Sequence, residues 1–494
     1  MQRCLIMAAQ LASLFQPGRN CCRLARAQRA ALIIDGEAYF RAFAQAALRA
    51  TRTIVILGWD FHSKTRLHLC QDIRRTGVPD LLGDFLNFLA ERTPGLRIFI
   101  LAWDAPPLFG RDREPRGGAA GWKPHRHITV HYDSNCPVGG ALHQKMVVID
   151  GALAFCGGTD LTVGRWDTPA HAWADPERTN VGESEPYGPV HDVMLAVDAA
   201  AARALQSLAV NRWQEATGHR LPVVRAAADA WPESLDVMFS DVEVAIARTV
   251  PVGAGRKEIR EVEALYLDMI AAARRYIYIE NQYFTARALG DALAARLSEP
   301  RGPEVIVVSR LDSAGWLEAP TMQALRTVLL HKLRDADAYG RFCAWYPDSP
   351  GQPCCDLHSK LMIVDDDWLR VGSANFANRS MGLDTECDLV LAVGGSPSLR
   401  AAIADARNAL LAEHLGVSLQ AVREAVALTR SVAGAVRALA NRSGRTLRRF
   451  EQLDDPSPAV IAVAHGIADP EHPPIAVDEL IAGSSLGTPT VLGP

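Results

Sequence analysis

The chain has 494 residues, 49% hydrophobic and 22% charged, with 52 Lys and Arg against 56 Asp and Glu. That is the composition of a globular protein with room for two or three domains. The formal charge of −4 lacks the basic excess of a protein that gains affinity by neutralising nucleic-acid phosphates, so nucleic acid is not an expected partner. No run approaches the ~18 apolar residues of a membrane span. Ten cysteines without a C-x-x-C pair or a compact disulfide spacing point to a mostly reduced set.

From the N-terminus, Cys4–Phe15 is apolar behind Arg3. Gln10 interrupts it and no small-residue cleavage site follows, which favours an amphipathic segment over a signal peptide. Arg19, Arg23, Arg26 and Arg29 read as one solvated helical face, in preference to a patch for anionic lipid. Tyr39, Phe43 and Ala46 then recur at helical spacing and lead into the strand of LRATRTIVILGWDF (48–61). A second helix, Leu81 to Leu89, precedes the strand of LRIFILAWD (96–104). GRDREPRGGAAGWK (110–123) reads as a loop, and His125, His127 and His131 follow as H-x-H-x(3)-H. With no nearby Cys or carboxylate to complete a metal site, no metal is assigned to them.

HQKMVVID (143–150) comes next, continuing to GGTDLTVGRWDT (157–168), and HAWADPERTNVGESEPYGP (171–189) reads as a surface loop. After a helical stretch ending near Trp213, a boundary is expected near Trp231-Pro232. The plan then repeats. Ile259, Val262 and Leu265 lead into AAARRYIYIENQYF (271–284), and Ala288 to Leu297 into PEVIVVSRLD (303–312). HSKLMIVD (358–365) and GSANFANRS (372–380) follow. From about 420 an Ala- and Val-rich helical stretch precedes Arg442, Arg445, Arg448 and Arg449, also read as a solvated face, and a Pro-rich tail. Helices alternating with apolar strands imply an α/β fold with mixed sheets covered on both faces. The expected division is an N-terminal segment 1–24, lobes 25–230 and 231–420, and a C-terminal region 421–494.

His143, Lys145 and Asp150 form H-x-K-x(4)-D, and His358, Lys360 and Asp365 repeat it 215 positions later. After six intervening residues, each aspartate is followed by Gly157-Gly158-Thr159-Asp160 or Gly372-Ser373-Ala374-Asn375. On a strand, a histidine and a lysine two apart share a face, so a nucleophile would sit beside a fixed positive charge. Asp150 and Asp365 have the opposite parity and open polar turns, so their expected job is to position the hairpin rather than to touch a scissile bond. The small residues Gly157, Gly158, Gly372 and Ser373 would let backbone amides approach a phosphate.

These paired clusters, together with YIYIENQYF (276–284) and GSANFANRS, resemble the phospholipase D superfamily. They resemble its glycerophospholipid-cleaving enzymes more than its small one-cluster nucleases. The resemblance spans roughly residues 20 to 420. It implies two similar lobes, each a mixed β-sheet flanked by helices, related by a pseudo-twofold with one active site at their interface. Because both clusters lie on one chain, a monomer is expected.

The resemblance further implies phospholipase D activity: hydrolysis of a glycerophospholipid to phosphatidate through a phosphohistidine, with head-group exchange when a primary alcohol replaces water. A cardiolipin synthase-like transferase is the alternative, and a phosphodiesterase or nuclease the second. It assigns the nucleophile to His143, the acid/base to His358, and the phosphate charge to Lys145, Lys360 and Asn375, with Ser373 and Gly158 beside them. The second-lobe histidine His358 would rest on Glu386 and His143 on Asp192. Asp160, where the second half has Asn375, is assigned to anchoring Arg165 or a backbone turn. The chemistry calls for no cofactor and no metal. The partners expected are a phospholipid at a membrane surface and water or an alcohol as acceptor, in a cytoplasmic, peripherally attached protein. Loops 110–123 and 171–189 are expected to set substrate choice.

Overall fold

The computed structural model describes residues 14–104, 114, 121–224, 229–253, 257–312, 318–352, 354–440, 443–451 and 453–473. The first half supplies β1 (Arg23–Ile34), β2 (Thr53–Gly58), β3 (Arg97–Trp103), β4 (Ile128–Asp133), β5 (Met146–Ile149), β6 (Leu153–Gly157), β7 (Val190–His191) and β8 (Val193–Asp198). The second supplies β9 (Phe239–Val250), β10 (Ile259–Arg260), β11 (Tyr276–Asn281), β12 (Glu304–Val308), β13 (Phe342–Asp348), β14 (Asp356–Leu357), β15 (Lys360–Val364), β16 (Trp368–Gly372), β17 (Glu386–Ala392) and β18 (Thr446–Arg449).

The sheet order is close to a palindrome. From one edge it runs β4-β3-β2-β5-β6-β8-β1, and from the other, inside the added edge strand β18, β13-β12-β11-β15-β16-β17-β9. In each half the outer three strands are parallel and the rest antiparallel. The halves meet where β1 pairs antiparallel with β9 over Arg23–Ala30, so two mixed sheets fuse into one of 16 strands. This is the two-lobed α/β architecture, with the pseudo-twofold passing between β1 and β9.

The apolar pattern explains the layers. Helix Asp35–Ala47 buries Tyr39, Phe43 and Ala46 and helix Leu82–Arg92 buries Phe85, Leu86 and Leu89, both in a core of the first lobe. Helices Glu261–Ala272 and Arg287–Ser298 do the same in a core of the second. On the other face a third core takes residues from both lobes, among them Val55, Val148, Leu195, Val244, Ile246, Leu361 and Leu389. At ~1.5–3 kcal/mol for each buried aliphatic side chain, this shared layer resists separation of the lobes.

Three expectations are corrected. The N-terminal arginines do not form a helical face, because Arg23, Arg26 and Arg29 stand on β1. The first half of that strand is largely exposed, so its apolar alternation is diluted by arginines, of which Arg26 pairs with Asp241 and Arg29 with both Asp198 and Asp229. Arg448 and Arg449 likewise lie on β18 rather than on a helix, while Arg442 is outside the described residues. Ile259 belongs to β10 and not to the helix that follows. No helix among the described residues is long and apolar enough to cross a membrane, and the nine described cysteines are free thiols.

Candidate active site

His143 and Lys145 do not lie on a strand. They immediately precede β5, and His358 precedes β15, whose first residue is Lys360. Each pair therefore sits at the mouth of a hairpin made by the short strands β5–β6 or β15–β16. The far end of each hairpin, about 20 Å away at strand rise, carries Asp150 or Asp365 with φ of 51° and 56°. Asp150 accepts from the amides of Thr51, Arg52 and Thr53, and Asp365 from those of Arg274, Arg275 and Tyr276. These carboxylates brace each hairpin against the start of β2 or β11.

The carboxylate partners cross over. His143 Nδ1 lies 3.0 Å from both Oε1 and Oε2 of Glu386, and His358 Nδ1 lies 2.9 Å from Oδ2 of Asp192. The expected pairing, Glu386 with His358 and Asp192 with His143, is therefore reversed. The reason is in the segments leading to each histidine, which pair with the opposite lobe. Leu142 bridges Thr385, with the His143 amide donating to Thr385 O at 3.1 Å, and β14 pairs β7, with the His358 amide donating to His191 O at 2.8 Å. Each histidine is thereby delivered to the carboxylate that follows the bridged residue. By register, Asp192 and Glu386 are equivalents: Gly157 pairs Met194 and Gly372 pairs Asp388, two residues after each carboxylate.

The two lysines have different company. Lys145 Nζ lies 3.1 Å from Asp160 Oδ2, both side chains buried, and 3.2 Å from His143 O. Asp160 Oδ1 also accepts from the Trp59 amide at 2.9 Å. Asp160 thus anchors a backbone turn as expected, but its cation is Lys145 and not Arg165. Lys360 instead donates to neutral Gln282 Oε1 at 2.9 Å and to His358 O, with His358 Nδ1 at 3.1 Å.

Burial governs the charge states. It pulls Lys360 down to about 7. Burial, followed by the charge of Lys145, holds His143 well below the ordinary imidazole range, and burial with Lys360 and Arg165 does the same to His358. Burial also pushes Glu386 up to about 7 and raises Asp192. Low-dielectric surroundings disfavour each charged form, so an anion entering the site would supply the counter-charge that lets Lys360 and one imidazole hold protons.

The proposed phosphate contacts fare unevenly. Gly158 spends its amide on Val193 O at 3.0 Å, and a Cβ there would stand 2.1 Å from Asp192 Oδ1. Its place is to admit the Asp192 carboxylate, not to offer an amide to phosphate. Ser373 Oγ donates to Glu386 Oε2 at 2.5 Å and accepts from the Cys387 amide at 3.0 Å, so it orients Glu386. Asn375 donates its amide to Ser380 Oγ, and its buried Oδ1 makes no hydrogen bond among the described residues.

Residues without an earlier assignment also reach the site. Arg165 and Arg310 both act on His358 electrostatically, and Gln282 holds Lys360. The signal for Gln282 lay in ENQYF, where polar residues close an apolar strand; Arg310 similarly follows the end of β12. Beside Arg165 opens a shallow cleft lined by Lys64, Arg66, His68 and Asn180. Among the aromatic residues nearby, Trp59 and Trp103 contact each other at 5.7 Å between centroids, Trp166 stacks on His68, and Tyr278 donates to Glu280.

Loop 171–189 is partly scaffold. His171 and Arg178 are buried, the latter against Asp167 and the carbonyls of Ala172 and Trp173. Most of loop 110–123 is outside the described residues. His125 and His127 meet edge to face and His131 packs towards Trp213. Among the described residues, these three join no cluster of potential metal ligands.

Known proteins resemble the chain over both clusters. A family described as phospholipase D matches residues 129–290, and one described as cardiolipin synthase, PLD-like domain, matches 266–398. Phospholipase D A of Dictyostelium discoideum is 26% identical over 424 residues, covering 73% of this chain and 32% of that protein. Phospholipase D gamma 1 of Arabidopsis thaliana is 24% identical over 540 residues, covering 77% and 62%. The chain thus spans about a third of the first relative and just over three fifths of the second. A phosphatidylserine synthase structure from Haemophilus influenzae superimposes with a TM-score of 0.54 at 14% identity, covering 82% of this chain and 90% of that one, a likeness of fold.

Proposed function

Because the chain belongs to the phospholipase D superfamily, we propose that it hydrolyses the head-group phosphodiester of a glycerophospholipid to phosphatidate, and transfers the phosphatidyl group to primary alcohols. The observation that carries this reading is the pair of crossed His–carboxylate contacts with two lysines in one buried site. Residues 25–230 and 231–420 act as the two lobes, within a monomer working at a lipid surface.

Nδ1 of each imidazole is occupied by its carboxylate, which fixes the tautomer and leaves Nε2 for chemistry. Nε2 of His143 attacks phosphorus. As the N–P bond forms, the P–O bond to the head group breaks and His358 gives its Nε2 proton to the departing oxygen. Water then attacks phosphorus on the side the head group left, His358 takes its proton back, and the N–P bond breaks to release phosphatidate. An alcohol in place of water gives the transfer product. Lys145, Lys360 and the side-chain NH2 of Asn375 face the charge on the equatorial oxygens.

A second reading, transfer to a hydroxyl of another lipid, is favoured by the match of residues 266–398 to the cardiolipin synthase family. One experiment separates them: mass spectrometry of products from a mixed phospholipid panel with added ethanol. Free head group, phosphatidate and phosphatidylethanol are expected. Lipid–lipid condensation products with no phosphatidylethanol would favour the second reading, and no turnover of any phospholipid would remove both.

A further inference from the structure

Behind the active site lies a second polar cluster that the reaction above does not use. Asp35 follows β1, His171 belongs to the 171–189 loop, His191 ends β7, and Glu413 closes the helix Pro397–Leu415; all four are buried. Their ligand atoms, one from each residue, lie within 4.8 Å of one another. His191 Nδ1 lies 3.0 Å from Asp35 Oδ1 and 2.6 Å from Glu413 Oε1, while His171 Nε2 lies 3.1 Å from that same Oε1 and 3.7 Å from Asp35 Oδ2.

Of these contacts only that of His171 Nε2 with Glu413 Oε1 has the geometry of a hydrogen bond. His191 Nδ1, between two carboxylates, aligns a hydrogen bond with neither, and Asp35 Oδ2 makes none. Their residues are 0% and 1% exposed. In a tetrahedral N₂O₂ site with bonds near 2.0–2.1 Å, neighbouring ligand atoms stand about 3.3 Å apart. The separations, 2.6 to 3.7 Å with Asp35 offering Oδ1 to one imidazole and Oδ2 to the other, bracket that edge length.

The outer contacts point the same way. His171 Nδ1 lies 2.9 Å from Asp167 Oδ2, and Asp167 is itself held by the amides of Thr168 and Val190. His191 Nε2 lies 3.0 Å from Glu280 Oε2, which is fixed by the hydroxyl of Ser359, while Tyr278 and His414 reach its other oxygen. Each imidazole thus rests its remote nitrogen on a carboxylate and aims the lone pair of the near nitrogen inward, the carboxylate–histidine arrangement that orients metal ligands.

We infer that Asp35, His171, His191 and Glu413 bind one divalent first-row transition ion such as zinc, which joins the two lobes behind the shared active site. Imidazole with carboxylate is the donor set that suits such ions. Four protein ligands leave no open position, so the role is structural and the ion takes no part in the phosphorus chemistry. Three ligands come from the first lobe, and Glu413 from the helix behind the second. The ion would also steady the site directly, because the His191 carbonyl receives the His358 amide and Asp192 is the next residue.

The test is metal analysis of the full chain, a readout independent of catalysis. Protein purified from zinc-replete medium without chelator should carry about one equivalent of metal, and Co²⁺ exchanged into it should give the intense visible bands of a tetrahedral site. His171→Ala with Glu413→Ala should abolish that equivalent, and Asp167→Asn should weaken zinc affinity about 10–100-fold. His125→Ala, which alters the other histidine group, should leave the equivalent in place. Wild-type protein with no bound metal, and no rise in melting temperature on adding Zn²⁺, Mn²⁺ or Co²⁺, would overturn the inference. The cluster would then be two imidazolium–carboxylate pairs. Metal retained by the double variant would overturn it as well, by locating the ion elsewhere. If the double variant fails to fold, the wild-type measurement and Asp167→Asn decide.

Discussion

The two lobes share a strand order and a spacing of reactive residues, yet they charge their lysines differently. In the first, Lys145 faces the carboxylate of Asp160; in the second, Lys360 faces the amide of Gln282, and burial brings it down to about 7. A duplicated backbone has therefore kept its geometry while its electrostatics diverged. One lysine is neutralised inside the protein. The other waits for substrate to complete its charge.

Loss of either histidine is the largest effect expected and tests whether the lobes act as one site. His143→Ala and His358→Ala should each lower kcat by about 10²- to 10⁶-fold with the fold retained by circular dichroism. A folded variant with near wild-type turnover would show that its lobe is dispensable.

The crossed carboxylates sharpen the comparison further. Asp192→Asn weakens His358, so it should slow breakdown of the intermediate and leave phosphatidyl label on His143. Glu386→Gln weakens His143, so it should slow formation and leave little label. Each should lower kcat by about 10²- to 10⁴-fold. Label accumulating in Glu386→Gln but not in Asp192→Asn would exchange the roles of the two histidines.

The glycines at the ends of the returning strands offer a smaller contrast. An alanine Cβ at 158 would meet Asp192 Oδ1 at 2.1 Å, and one at 372 would meet Asp388 Oδ1 at 1.8 Å. Asp192 orients a reacting imidazole, whereas Asp388 pairs with buried Arg370. Gly158→Ala should therefore cost activity, about 10- to 100-fold in kcat. Gly372→Ala should chiefly cost stability, about 1–3 kcal/mol by denaturant titration. Equal effects on both quantities in both variants would mean the lobes are interchangeable here.

How much of this was legible beforehand depended on whether the information was local. The hairpins and their bracing aspartates follow from short spacings, so Asp150 and Asp365 stand at the polar turns they were expected to open. The crossover was invisible, because it arises from Leu142 bridging Thr385 and β14 pairing β7, contacts between segments more than 160 positions apart. Ser373 and Gly158 were misread for a related reason. Small residues beside a phosphate site and small residues beside a buried carboxylate look alike until the carboxylate is located. The Asp35–His171–His191–Glu413 cluster gathers four segments, and its one local sign was the polar Glu413-His414 pair ending a largely apolar helix.

The contrast between lysines should be visible as protons. At pH 8 a Lys360 titrating near 7 is about nine-tenths neutral in the free site, and His358 is neutral as well. Binding of inorganic phosphate or vanadate raises both affinities for protons, so association should take up protons at pH 8, up to about one from Lys360. Calorimetry in buffers of different ionisation enthalpy measures the uptake. Lys360→Met should reduce it and Lys145→Met should not, since Asp160 already balances Lys145. Uptake lost equally in both variants would erase the distinction between the lobes.

The smallest effect concerns the loop that only the first lobe carries. Its base is part of the scaffold: Arg178 is buried, the Tyr187 amide donates to Arg178 O at 3.0 Å, and the Tyr187 hydroxyl donates to Trp166 O at 2.8 Å. Its tip, Val181 to Glu185, is exposed beside the cleft that Asn180, Tyr187 and Arg165 line. Shortening the tip while keeping His171, Arg178, Tyr187 and Asp192 alters that mouth without moving the His358 support. Remote contacts act on the choice of substrate more than on the phosphorus step. The ranking of phospholipid head groups should therefore change by a few-fold, while cleavage of bis(p-nitrophenyl) phosphate changes by less than about twofold. Parallel losses on every substrate would mean that the tip too belongs to the scaffold, and head-group contacts would then be sought on the second lobe, first around Tyr283 and Arg310, whose guanidinium lies 4.8 Å from the Tyr283 ring centre.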